Sequence, residues 1–166
     1  VFGASEAESA ATVKKRWEEL KREQEERAGI FHDVPEVLPA LLLAKKAQRR
    51  AASVGFEYAD AEGAFADLAD EVEELRRELP GVDPPGETEP DTTHFGEVGD
   101  VLFAAVNVAR RLNVDPELAL RAAAERFRAR VEAAEELASA HGRRFSELRL
   151  EEQDRYFDEA KEAERR

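Results

Sequence analysis

The sequence predicts an all-α protein. Apolar residues recur every three or four positions over long stretches, helix formers dominate, and runs of β-branched residues are few. Its 166 residues suit one domain with a real core. Acidic residues outweigh basic ones to a net charge of −13, which repels nucleic-acid backbone and anionic membrane. That leaves room for one small anionic ligand brought in with a divalent cation. With no cysteine there is no disulfide framework, thiol chemistry or Cys-based metal site. No apolar run is long enough for a membrane span and no signal-peptide pattern opens the chain, so the expectation is a cytoplasmic protein.

The elements follow in order. Thr12 to Glu26 is highly charged, with Val13, Trp17 and Leu20 at helical spacing, and reads as a narrow amphipathic helix. Pro35 suits the first turn of a second helix, which runs through LPALLLAKKAQRRAAS and stops near Gly55. The basic cluster Lys45, Lys46, Gln48, Arg49 and Arg50 either complements that helix's dipole or lies near an anionic ligand. A third helix starts near Ala61 and ends at Pro80-Gly81. Phe65, Leu68, Val72, Leu75 and Leu79 mark its core face. Beside them runs an acid stripe of Asp67, Asp70, Glu71, Glu74 and Glu78. Like charges four apart on a helix repel, so the stripe is either a solvated face or one half of a site.

Gly81 to Thr93 carries three prolines and two glycines and reads as a connection. Gly96 to Arg111 (GEVGDVLFAAVNVARR) is apolar nearly all round, the mark of a buried helix. Glu97, Asp100, Asn107 and Arg111 interrupt it along one face. If this helix runs antiparallel to the acid-striped one, Glu71 and Glu74 face Glu97 and Asp100. Carboxylates converging from two helices make a hard-cation site, suited to Mg²⁺ or Mn²⁺. Asp115-Pro116 then starts a long helix to about Ala140, with Arg126 and Arg130 four apart on one face. A last helix, Leu150 to Arg166, carries Phe157 and Lys161 at the same spacing. His32, His94 and His141 fall in connections. No nucleophile motif, phosphate-binding glycine loop or zinc spacing is present.

These stretches resemble the MazG family of nucleoside triphosphate pyrophosphohydrolases. LPALLLAKKAQRRAASVGFEY looks like the family's first conserved helix and its G-F-[D/E]-[W/Y] segment. The family's E-E-x-x-E and E-x-x-D signature is matched by DEVEE, at Asp70, Glu71 and Glu74, and by EVGD, at Glu97 and Asp100. GDVLFAAVNVARRLNVDPELAL is similar to its most recognisable stretch. The resemblance divides the chain into a linker-like segment at 1–28 and a catalytic helical domain at 29–166. It implies an intertwined homodimer of helical bundles and Mg²⁺-dependent hydrolysis of nucleoside triphosphates to the monophosphate and pyrophosphate. It also implies that Glu71, Glu74, Glu97 and Asp100 are the metal ligands, with Mn²⁺ a possible substitute. Lys46, Asn107, Arg126, Arg130, Phe157 and Lys161 fall at substrate-binding positions. Asp70 stands where the family usually has Glu, as a weaker ligand or a group behind the ligands. Gly96 replaces a common Glu, Arg126 a usual Lys, and Phe157 a usual Trp.

Val1-Phe2-Gly3, with no initiator Met, resembles the end of the amino-terminal repeat in longer members. The chain therefore reads as the carboxy-terminal half of a two-repeat protein. Two other readings remain: a dimeric dUTPase-like or phosphoribosyl-ATP pyrophosphohydrolase-like enzyme, and a helical nucleotide-binding module without turnover.

Overall fold

A computed structural model of the chain describes residues 16, 29–78 and 92–165. Regular structure among them is entirely helical: α1 (Ala40–Ser53), α2 (Ala61–Glu78), α3 (Thr92–Arg111), α4 (Pro116–Ala140) and α5 (Leu150–Glu164), with a 3₁₀ turn at Phe145–Glu147. The charged helix expected at Thr12–Glu26 and nearly all of the proline-rich connection lie outside the described residues.

Helix α1 starts at Ala40, a turn later than Pro35 suggested. A second proline decides this. Pro39 occupies the N-cap position with extended ψ, and a proline drives the residue before it out of the α region. The helix ends as expected. Gly55 takes φ 91°, its N–H donates to Ala52 O (3.1 Å), and Phe56 N–H donates to Ala51 O (3.1 Å). That pair of bonds turns the chain sharply and needs a left-handed residue after the helix. Asp60 Oδ1 then accepts the N–H of Gly63 (3.0 Å), capping the start of α2.

Helix α3 begins one turn before Gly96. Its all-round burial is not met within a single chain. Ala104, Val106, Asn107 and Val108 are buried, but Phe95 is 76% and Leu102 51% exposed. Both α1 and α2 pack on α3, yet they cover only part of its apolar circumference. The helix closes at Asn113, which takes φ 57° while Val114 N–H reaches Ala109 O (2.8 Å). Asparagine tolerates this left-handed position better than most residues.

The chain divides into two compact units, one up to Pro116 and one from Glu117. In the first, α3 packs against both α1 and α2. In the second, Phe127 of α4 meets Phe157 of α5 with ring centroids 5.8 Å apart. Arg130 Nε donates to Glu164 Oε2 (2.7 Å), and Ala134, Ala138, Leu148 and Ala160 are buried. Helix α4 starts at Pro116, as the Asp-Pro signal predicts; α5 stops at Glu164, where Arg165 N–H turns back to Glu162 O.

The left-handed turn at Gly55 can be tested by substitution. No atom crowds a Cβ there, so Gly55→Ala isolates the backbone cost. It should destabilise the chain by about 1–2 kcal/mol in urea unfolding, the penalty for a left-handed alanine.

Candidate metal centre and adjoining cavity

Glu71 lies on α2, and Glu97 and Asp100 lie on α3, three residues apart and therefore on one face. His94 Nε2, near the start of α3, donates to Glu78 O (3.3 Å), near the end of α2, while Glu71 meets Asp100 further in. The helices thus run antiparallel, and one carboxylate oxygen from each of Glu71, Glu97 and Asp100 falls within 4.8 Å of the others. No lysine or arginine pairs with any of the three among the described residues.

Uncompensated charge shows in their titration. Partial burial, then the charges of Asp100, Glu74, Asp67 and Glu97, push the Glu71 carboxyl above its ordinary value. Partial burial, then Glu78, Asp100 and Glu74, push Glu97 up. Three unpaired hard oxygen donors, two of them held at a cost in repulsion, fit a divalent cation. Glu74 adds to the field on both glutamates but is exposed and stands outside the close trio. Asp70 is also exposed, and its charge registers on Tyr58.

Beside the trio opens a cavity of about 600 Å³, which shares Glu71 as a wall. Phe31, Phe56, Tyr58 and Phe103 give it aromatic surface. Tyr58 is held in place by its hydroxyl, which donates to Asp67 Oδ1 (2.7 Å) and whose pKa is raised by that bond. Gly63 lets the ring lie close, since a Cβ there would come within 3.1 Å of it. Asn107, Arg110 and Glu57 form a further wall. Arg110 grips Glu57 with two bonds (2.6 and 2.7 Å) and donates to Asn107 Oδ1 (2.6 Å). The guanidinium holds the Glu57 carboxyl below the usual glutamate range. Arg111, left without a role by the sequence, also reaches Glu57 (3.5 Å) and donates to Ala59 O.

The other sequence candidates fall elsewhere. Lys46 donates to Asp33 O and lines a separate cleft with Leu38, Leu42, Lys45, Arg49 and Arg50, not the cavity beside Glu71. Arg126, Arg130, Phe157 and Lys161 belong to the second unit. There Arg126 is exposed, Arg130 is paired with Glu164, and Phe157 rests on Phe127. Sequence reasoning missed Glu57, Arg110 and the aromatic wall, and placed Gln48 only within the charged run of α1. The segment GFEY was the available signal, because it delivers Phe56, Glu57 and Tyr58 together directly after the Gly55 turn.

Carboxylates thus converge from two antiparallel helices beside a cavity with aromatic walls. No family model matches the chain. Across nearly its whole length, however, it is similar to proteins that bear the nucleoside triphosphate pyrophosphohydrolase name. It is 36% identical to the nucleoside triphosphate pyrophosphohydrolase/pyrophosphatase MazG of Thermotoga maritima over 163 residues, which is 97% of this chain and 58% of that protein. It is 33% identical to the nucleoside triphosphate pyrophosphohydrolase of Escherichia coli K12 over 168 residues, 99% of this chain and 62% of that one. A stretch of 70 residues, 42% of this chain, is 46% identical to 14% of the protein YabN of Bacillus subtilis. The chain thus spans about three fifths of the length of the first two relatives.

The Glu57–Arg110 pair gives a pH-dependent prediction. Its folded pKa lies below the ordinary 4.5, so its stabilisation is present above that value and is lost as pH falls through the folded one. Glu57→Ala should therefore cost about 1.5–3 kcal/mol at pH 7, the worth of a charge-assisted bond. Denaturant unfolding followed from pH 7 to 3 should show the gap to wild type closing only below pH 4.5.

Proposed function

We propose that the chain hydrolyses nucleoside triphosphates to the monophosphate and pyrophosphate with Mg²⁺, acting as a homodimer. The observation that carries this is the trio of Glu71, Glu97 and Asp100 opening beside an aromatic cavity that shares Glu71. Two relatives that bear the pyrophosphohydrolase name at 33–36% identity support the reaction class. The exposed apolar residues of α3, among them Phe95, Val98 and Leu102, support a second copy covering that helix.

In this reading Glu71, Glu97 and Asp100 hold the cation, with Glu74 one turn along α2 as a further ligand. Bound there, Mg²⁺ or Mn²⁺ would lower the pKa of a water and offset the charge of the phosphates. The carboxylates fix the direction from which a triphosphate can approach, because an anion is repelled from them unless a cation comes with it. The aromatic wall of the cavity receives the base and sheds water from its faces. Standard and damaged nucleotides, ribo and deoxy, are all candidate substrates. Arg126 and Arg130 are the phosphate-binding candidates, and Phe157 and Lys161 are further substrate-binding candidates.

Product analysis by phosphorus NMR over a panel of NTPs and dNTPs tests the reaction. The expected products are monophosphate and pyrophosphate; orthophosphate release would refute the assignment. Glu97→Gln and Asp100→Asn should each lose more than the roughly 10–100-fold that follows loss of a group supporting a metal ligand. Full Mg²⁺-dependent activity in both would mean the site is misplaced.

The cation should also act on stability. At 100 times its dissociation constant, Mg²⁺ should stabilise the wild type by about 2.7 kcal/mol. Glu71→Gln should melt higher than wild type without Mg²⁺, because a repelled charge is gone, and should respond less to the ion. Calorimetry with and without Mg²⁺ checks both.

A further inference from the structure

Gln48 sits in the basic run Lys45-Lys46-Ala47-Gln48-Arg49-Arg50, where an exposed side chain would be unremarked. It is instead only 6% exposed and forms part of the cavity wall. Its Nε2 donates to Phe103 O (2.8 Å) on α3. That bond fixes the amide, since a flipped one would set two oxygens against each other. Oε1 is therefore an acceptor, buried, and no donor reaches it. Buried acceptors without a donor are rare and costly.

Asn107, 9% exposed, stands on the wall of the same cavity. Its Oδ1 accepts from Arg110 Nε (3.2 Å) and Nη2 (2.6 Å). A guanidinium only donates, so this amide cannot flip either. Its Nδ2 has no partner among the described residues. Gln48 and Asn107 both line the cavity beside its aromatic walls, the first with an acceptor and the second with a donor left unmet. Phosphate has no proton to offer Gln48 Oε1. A planar ring carrying an N–H next to a carbonyl or ring nitrogen satisfies both amides.

We propose that Gln48 and Asn107 read one edge of the nucleobase, with Gln48 Oε1 accepting a base N–H and Asn107 Nδ2 donating to the neighbouring acceptor. This rests on the nucleotide reading above and assigns the base-selecting residues within it. Leaving a site's buried polar group unpaired is the strongest way for a pocket to reject an analogue, so Gln48 sets base preference.

The test deletes base atoms against Gln48. kcat/KM is measured for wild type and Gln48→Met with ATP against purine riboside triphosphate, GTP against ITP, UTP against N3-methyl-UTP, and CTP against zebularine triphosphate. Each analogue lacks one N–H donor. In wild type the favoured nucleotide should lose roughly tenfold on that deletion, the worth of one buried hydrogen bond. In Gln48→Met the same deletion should cost less than about twofold. Equal costs in both proteins, no cost in wild type, or a loss that follows the 2′-hydroxyl in matched deoxynucleotides would overturn the proposal. If no nucleotide is turned over, the same pairs are compared as monophosphates by calorimetric binding, which separates a failed hydrolase reading from a failed edge reading. Absence of binding by all of them counts against Gln48. If Gln48→Met does not melt cooperatively, a crystal structure of the wild type with an α,β-imido nucleotide decides. A base N–H bonded to Gln48 Oε1 supports the proposal, and a base bound elsewhere refutes it.

Discussion

The packing of α2 along α3 works against its own electrostatics. Ala64 on α2 and Ala104 on α3 are buried, and the apolar residues around them draw the two helices together. The same approach brings Glu71 against Glu97 and Asp100, with no lysine or arginine paired to them among the described residues. Partial burial first, and neighbouring carboxylates second, push both Glu71 and Glu97 above the ordinary value. Stability given up in this way is usual where a site awaits a ligand of opposite charge.

A few residues away the same helices treat a carboxylate in the opposite manner. Glu57 receives two bonds from Arg110, and its pKa falls. That pair ties the segment after α1 to the end of α3, and Arg110 in turn pins Asn107. Tyr58, next in sequence, is tied to α2 through Asp67. The Gly55 turn therefore feeds a short segment whose consecutive side chains anchor to two helices. Those anchors form part of the cavity wall, whereas the trio has no such basic partner among the described residues.

Much of this was legible in the sequence, and the limits have physical causes. Spacing of three and four exposes a helix face, so the sequence alone aligns Glu97 with Asp100 and sets Glu71 on an acid stripe. The Asp-Pro start of α4 and the glycine end of α1 are local signals, and both elements follow them. Pro35 misled because Pro39, four residues on, imposed the stronger restraint. The uniform apolarity of α3 reads as burial, yet sequence does not say which chain provides the cover, and Phe95 and Leu102 stay exposed here. Gln48 and Arg110 were hidden for another reason. Their partners lie 55 and 53 residues away, and a polar residue inside a charged run looks like surface until the helices are packed.

The proposed hydrolysis requires a divalent cation between Glu71, Glu97 and Asp100. Anomalous diffraction from crystals grown with Mn²⁺ tests it most directly. The account predicts a manganese peak bonded to oxygens of all three residues. A peak elsewhere on the chain, with the trio unliganded at saturating Mn²⁺, would contradict it.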